Sequence, residues 1–173
     1  MKTIQNASRT TKALLAGSFL ALAIFVGLVE AARRGGPSPG DKLLPFIALL
    51  NSGQETAQPS SPALGVASLF LNQGTSELTY NISYQGLVAP EVGSHIHGPA
   101  TLGVNASILI DFMNLSNPKN GSAILTPQQV GLLKKGLLYV NIHTDPASGG
   151  FSGGEIRGQI LPIKARYTFG TGS

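Results

Sequence analysis

Cysteine and tryptophan are absent from this 173-residue chain, and only 12% of its residues are charged. Without cysteine, the chain can form no disulfide, and it offers neither a thiolate ligand to a metal nor a thiol nucleophile. The absence excludes those three kinds of chemistry at once. It does not assign the protein to the cytosol, because an exported domain of this size can be stabilised by its core alone.

Basic residues are also scarce outside the N-terminus. The formal net charge is +4, yet from Lys42 onward the sequence contains seven Lys and Arg residues against six Asp and Glu residues. Binding to nucleic acid requires a basic stripe or patch. The sequence shows none, so we exclude nucleic acid as a partner.

Glycine and proline, in contrast, are plentiful, with 22 and 11 residues, and 42% of the residues are hydrophobic. This composition is typical of a β domain with many loops and is unlike that of a helical bundle. At this length the chain can form one domain with a sizeable core, preceded by a leader.

The leader has the features of a secretory signal peptide. Three basic residues (Lys2, Arg9 and Lys12) precede an uncharged run from Ala13 to Val29, and small residues follow. This pattern predicts cleavage after Ala31. The alternative is that residues 1–31 remain as an N-terminal anchor, which would be the only contact with a membrane. In both cases residues 32–42 form a flexible linker and the domain lies outside the cytoplasm.

Alternating apolar and polar residues predict several short strands. The clearest pattern runs from Glu77 to Tyr84, and together with a strand at Gly65–Leu71 it predicts a hairpin. Another strand is expected at Asn105–Phe112, followed by a loop at Asn114–Gly121.

One short helix is also expected, beginning at Thr126. Thr126 and Gln129 form a capping box around Pro127, and Gly136 is placed to end the helix. About seven strands and one crossover helix predict an all-β fold over residues 43–162, an antiparallel Greek-key β-sandwich or barrel. Residues 163–173 form a C-terminal tail.

The three histidines of the chain are confined to two segments, each with a predicted polar face. His95 and His97 are separated by one residue, so an extended segment places both rings on one side and Ile96 on the other. His143 lies on the polar face of a predicted strand at residues 138–143, and a loop rich in Gly and Pro follows it.

Four motifs, in this order along the chain, resemble the chordin-domain (CHRD) family. They are Leu50-Asn51-Ser52-Gly53-Gln54-Glu55, His95-Ile96-His97-Gly98-Pro99-Ala100, Tyr139-Val140-Asn141-Ile142-His143-Thr144 and Gly154-Glu155-Ile156-Arg157-Gly158-Gln159-Ile160. The resemblance covers about Leu43–Leu161. One departure follows the first motif, where the family usually has prolines and this chain has Thr56-Ala57-Gln58-Pro59.

The resemblance implies an extracytoplasmic β-sandwich similar in fold to the copper-zinc superoxide dismutase sandwich. It implies no biochemical activity of its own. The chain also lacks the cysteine-rich modules with which chordin-type proteins hold growth factors, so a growth-factor role is not implied. Nor can three histidines without cysteine reproduce the two metal sites, bridging histidine and disulfide of the family dismutases.

One interpretation of the histidines is a copper or zinc site formed by His95, His97 and His143. Alternate strand positions let two imidazoles converge on an ion, and a third from a neighbouring strand leaves one coordination position open. In that arrangement Asn141, Asp145 or Glu155 would orient a ring through its second nitrogen.

The other interpretation is structural. His95 and His97 would donate hydrogen bonds to loop carbonyls, and His143 would pair with Glu155 or Asp145. Glu155 and Arg157 would form an exposed ion pair with each other or with a neighbouring strand. Arg157 would also hold the Asp145–Gly154 loop in place.

Two functions therefore remain open. The first is an exported, non-catalytic sandwich domain that binds copper or zinc through the three histidines. The second is a metal-free module that binds an extracellular or cell-surface protein. A small redox enzyme is a third possibility with little support, since similarity of fold says nothing about turnover.

Overall fold

The computed structural model describes residues 42–163. The predicted leader at 1–31, all but the last residue of the 32–42 linker and all but the first residue of the 163–173 tail lie outside the described residues. No helix within residues 42–163 is long and apolar enough to cross a membrane.

Nine β-strands and one α-helix occur within residues 42–163. Their bounds are β1 Leu43–Asn51, β2 Leu64–Asn72, β3 Glu77–Gln85, β4 Glu91–His97, β5 Ile108–Asp111, β6 Lys119–Ile124, α1 Pro127–Lys134, β7 Tyr139–Thr144, β8 Ile156–Gln159 and β9 Leu161–Pro162. Short 3-10 turns occur at Ser52–Gln54 and Pro146–Ser148.

The strands pair in the order β5-β4-β7-β8-β1-β2-β3-β6, with β9 beside β1. Every pairing within the described residues is antiparallel. β8 and β1 meet at one residue pair, Arg157 opposite Asn51, so this junction joins two four-stranded halves. The predicted class is confirmed: the fold is a nearly all-β, barrel-like antiparallel sheet with a single short helix.

The core lies between these two halves and follows the alternation of the strands. Apolar side chains from β4, β7 and β8 meet those from β1, β2 and β3. Burying such side chains is the main favourable term in folding. The fully buried members include Phe46, Leu69, Leu78, Ile82, Ile96, Val140, Ile142 and Ile156.

The helix begins as the sequence predicts. The Thr126 side chain accepts a hydrogen bond from Gln129 N, and the Gln129 side chain accepts one from Thr126 N, so both halves of the capping box are present. Leu133 is the buried residue of α1, and Val130 and Leu132 pack partly against the core.

Two strand predictions were wrong in their bounds. β5 occupies only the last part of the predicted Asn105–Phe112 strand, because residues 98–107 fold as a loop over the histidine-bearing face. β6 begins at Lys119, inside the predicted Asn114–Gly121 loop, and therefore intervenes between β5 and α1. Its sequence has no clear apolar alternation. A Cβ at Gly121 would lie 2.4 Å from Tyr80 Oη, so a larger residue there would displace the Tyr80 ring of β3.

A buried ion pair connects the two halves at the side away from the β8–β1 junction. Lys119 of β6 is fully buried, and its Nζ lies 2.8 and 2.9 Å from the two carboxylate oxygens of Glu91 on β4. Nζ also donates to the carbonyls of Asn114 and Ser116. The Tyr84 hydroxyl donates to Glu91, and burial together with this bond raises the pKa of Tyr84. The pair links β3, β4 and β6.

We expect Lys119→Met to lower the free energy of unfolding by about 3–5 kcal/mol, because it leaves the Glu91 carboxylate buried without its cation. Urea or guanidinium denaturation at neutral pH measures the change. Lys135→Met, at an exposed lysine of the same chain, is the control and should change stability by less than about 0.5 kcal/mol. A change below about 1 kcal/mol for Lys119→Met would contradict the role assigned to this pair.

Candidate metal centre

The three histidine rings form one cluster on the face of β4 and β7 that points away from the core. In the β4–β7 ladder Gly93 lies opposite His143, and His95 lies opposite Asn141, so His95 and His143 are diagonal neighbours. The ring centroids are 5.4 Å apart for His95 and His97, 5.0 Å for His95 and His143, and 5.8 Å for His97 and His143. The structure therefore brings all three predicted ligands together.

Backbone carbonyls orient two of the rings. His97 Nδ1 lies 2.9 Å from the carbonyl of Ala106, and His143 Nδ1 lies 2.9 Å from the carbonyl of Ser152. A carbonyl can only accept a hydrogen bond, so each Nδ1 carries the proton. Each Nε2 then presents its lone pair in the neutral ring, which is the form that binds a metal.

Each ring also keeps one nitrogen free. Among residues 42–163, His95 Nδ1, His97 Nε2 and His143 Nε2 are shielded from solvent and have no hydrogen-bond partner. Buried polar atoms are nearly always bonded, so three such atoms in one cluster call for an explanation. A shared ion would satisfy all three.

The spacing of the rings fits a metal after a small closure. One nitrogen from each ring lies within 4.8 Å of the other two. Nitrogens bound tetrahedrally at 2.0–2.1 Å from zinc would be about 3.3 Å apart. The rings therefore need to move inward by a distance on the order of 1 Å, which rotation about the side-chain bonds can supply.

Electrostatics keep two rings neutral. Burial lowers the pKa of His97 and of His143 below 6.5, while the bonds to Ala106 and Ser152 act in the opposite direction. His95 lowers the pKa of both rings further, and Arg157 lowers that of His97. Neutral rings do not repel a cation. Burial thus favours the neutral, metal-binding form of His97 and His143.

The side chains of Tyr139 on β7 and Arg157 on β8 form a stack beside His97. Its ring lies parallel to the Tyr139 ring, with centroids 5.0 Å apart and 7° between the planes, and the Arg157 guanidinium lies 4.8 Å from the Tyr139 centroid. Ala106 is held twice, since its N–H donates to Tyr139 Oη and its carbonyl accepts from His97. The loop at residues 98–107 thus covers this face and fixes the ring.

Arg157 does not form the exposed pair expected from the sequence. Its side chain is only 2% exposed, and it donates to the carbonyls of Gln54 and Val104 and to Asn105 Oδ1. Its nearest carboxylate is Glu55, with Nε 3.9 Å from Oε2. Arg157 therefore holds the loops around residues 54 and 105, and the prediction that it holds the Asp145–Gly154 loop was wrong.

The other predicted supporting residues also lie away from the ring nitrogens. Glu155 is fully buried and accepts hydrogen bonds from Ser61 Oγ, Val88 N and Thr144 Oγ1. Asp145 accepts from Ala147 N and Ser148 Oγ and begins the Pro146–Ser148 turn. No hydrogen bond within residues 42–163 joins either carboxylate to a histidine ring.

Asn141 lies on the histidine face, between His95 and Arg157 in the strand register. Its side chain packs against Gly154, where a Cβ would lie 2.5 Å from Asn141 Oδ1. Its Oδ1 is buried and has no partner among the described residues. Asn141 is thus a neighbour of the cluster, and its Oδ1 accepts no hydrogen bond from a histidine ring.

Sequence reasoning missed the carboxylate nearest to the cluster. Asp111 lies opposite His95 in the β4–β5 ladder, with Oδ2 3.8 Å from His95 Nε2. Because β5 is an edge strand four residues long, its pairing with β4 could not be read from the sequence. The carbonyls of Ala106 and Ser152 were also missed, since a backbone acceptor leaves no side-chain signal.

A groove of about 530 Å³ gives access to the cluster. His95, His143, Asp111 and Ser152 line it together with Met113 and other apolar residues. Gly93 forms part of its floor, and a Cβ there would already lie 3.4 Å from His95 Cε1. A larger side chain at residue 93 would fill the groove between His95 and His143.

Comparison with known proteins agrees with the motifs. The family model described as the CHRD domain matches residues 46–160, which is most of the described chain. Neither the curated proteins nor the solved structures include a significant match.

We expect His97 and His143 to titrate below pH 6.5 in an NMR titration of the metal-free protein. The unfolded chain, with ordinary histidine pKa values, then takes up protons first as the pH falls. The contribution of these rings to stability is complete above about pH 6.5 and decreases as the pH falls below that value.

The comparison protein is the double variant His97→Gln/His143→Gln, whose stability should fall less between pH 7 and 5. Burial raises the pKa of Glu55 to about 7, against the opposing effect of Arg157. The contribution of Glu55 to stability therefore changes with pH in the opposite direction to that of the histidines. Because Glu55 is present in both proteins, its effect cancels in the difference. Equal pH dependence in the two proteins would contradict the prediction.

Proposed function

We propose that this chain, which belongs to the CHRD-domain family, is an exported, non-catalytic β-sandwich domain that binds a copper or zinc ion through His95, His97 and His143. The observation that supports this most directly is the set of three buried, unpartnered ring nitrogens in one cluster. Membership of the family does not imply this function, so the proposal depends on the geometry and chemistry of the site.

The chemistry of the ligand atoms limits which metals the site can bind. Three neutral imidazoles without thiolate suit copper(II) and zinc. Bound there, the ion would supply a Lewis-acidic centre with an open position. The chain's own part is to hold two rings by the carbonyls of Ala106 and Ser152 and to keep the fourth side open to the groove.

The alternative is a metal-free module that binds an extracellular or cell-surface protein. One observation favours it: the groove beside the histidines is bordered by exposed apolar side chains, including Val92, Ile108 and Leu115. Apolar surface of this kind is common at protein interaction sites. Metal titration separates the two functions, because the alternative requires no ion.

We expect isothermal titration of residues 32–173 with Zn²⁺ and Cu²⁺ to show one site per chain. Replacing any one of the three histidines by alanine removes a ligand and should weaken binding by more than about 100-fold, since changes in the outer shell alone cost 10–100-fold. Saturating metal at 100 times Kd should also stabilise the fold by about 2.7 kcal/mol.

Asp145→Asn is the matched control, because this carboxylate lies two residues after His143 and does not contact its ring. It should leave the affinity within about threefold, a change under 1 kcal/mol. Histidine variants that bind as tightly as the parent protein would eliminate the proposed site and favour the metal-free alternative.

Export generates a separate prediction. When the full chain is produced in a host that exports it, the mature protein should begin at Ala32, because small residues precede the expected cleavage point. N-terminal sequencing or the intact mass of the released protein measures this. Recovery in the membrane fraction with residues 1–31 present would favour the anchor, and recovery in the cytoplasm would refute export.

A further inference from the structure

Met113 places a thioether sulfur in the groove beside the histidine cluster. The chain has two methionines and no cysteine, and the other methionine, Met1, belongs to the predicted leader. Met113 is thus the only sulfur that the mature domain would contain. It lines the same groove as His95 and His143, and its side chain is 85% exposed.

The backbone at Met113 has an unusual conformation. Its φ is +56°, in the left-handed region that residues other than glycine seldom adopt. The Asp111 carboxylate supports this conformation, because its Oδ1 accepts a hydrogen bond of 2.8 Å from Met113 N. Backbone conformations of this type are concentrated at functional sites.

The same carboxylate faces the cluster. Asp111 Oδ2 lies 3.8 Å from His95 Nε2, so one side chain connects the His95 ring to the turn that carries Met113. The residue before Met113 is firmly anchored: Phe112 is buried, its N–H donates to the Ser94 carbonyl, and its ring lies 4.8 Å from the Tyr80 ring. The backbone before Met113 is thus held in place, and the exposed, flexible thioether of Met113 lies at the groove.

We propose that Met113 is the fourth ligand of the histidine site and gives it affinity for Cu(I). This rests on the proposed metal site. Thioether sulfur is a soft donor that favours Cu(I), whereas zinc binds preferentially to nitrogen, oxygen and thiolate. A methionine has three rotatable side-chain bonds and can close over the open side of the cluster when the ion is bound. The site then holds copper in its reduced form as well as Cu(II).

The test is competition for Cu(I) against a chromophoric Cu(I) chelator under anaerobic conditions. Met113→Leu keeps the size and apolarity of the side chain and removes the sulfur. We expect it to weaken Cu(I) binding at least about tenfold and to change Zn²⁺ affinity by less than about threefold. Met113→Gly, which suits the positive φ, guards against a folding defect in the leucine variant and should give the same result.

Leu115→Ala is the control, since it removes another exposed apolar side chain from the same groove and should leave Cu(I) affinity unchanged. X-ray absorption at the copper edge gives an independent readout. One sulfur scatterer should accompany the nitrogen ligands in the Cu(I)-loaded parent protein and be absent from both Met113 variants.

The possible failures are distinguishable. If the parent protein binds Zn²⁺ or Cu²⁺ through the histidines while Met113→Leu retains full Cu(I) affinity and no sulfur scatterer is found, the role of Met113 is refuted and the metal site stands. If the parent protein binds none of these ions, the proposed function is refuted and the role of Met113 with it.

Discussion

Strands β7 and β8 and the last four residues of β4 are buried or half-buried on both sides, and the rest of the site depends on this constraint. One side faces the apolar core, while the other carries histidine, tyrosine, asparagine and arginine. Polar groups taken out of water must find partners. The loop at residues 98–107 and the turn at Ser52–Gln54 supply most of them, through the carbonyls that bind His97 and Arg157. The same bonds hold the covering loops in place.

Within residues 42–163, the histidine cluster holds three of the buried side-chain atoms that have no hydrogen-bond partner. Arg157, Tyr139 and His97 form a continuous stack, and Ala106 is bonded at both its N–H and its carbonyl. At the far end of the stack, three ring nitrogens remain without partners. Rings held by backbone carbonyls, with free lone pairs gathered in one cluster, are the arrangement expected of a pre-organised ligand site.

Burial has different consequences for the two kinds of charged group in this fold. Lys119 Nζ donates to Glu91, Asn114 and Ser116, so the Lys119–Glu91 pair connects β4 to β6 and closes the barrel at that side. Around the histidines, burial lowers the pKa of two rings and leaves them as neutral donors. The ion pair links β4 to β6, whereas the histidine cluster lies on the outer face of β4 and β7.

The sequence by itself determined which side chains share a face. Alternation placed His95 and His97 opposite Ile96, and capping chemistry placed the start of α1 at Thr126, because both depend on neighbouring residues only. The tertiary structure decided that β4 lies beside β7 with Gly93 opposite His143, which brings the third ring to the other two. It also decided the partners: Ala106 and Ser152 for the rings, Glu55 in place of Glu155 for Arg157, and Asp111 for His95. Strand order and loop cover arise from contacts between distant residues, and backbone carbonyls look alike in every sequence, so no local pattern encodes them.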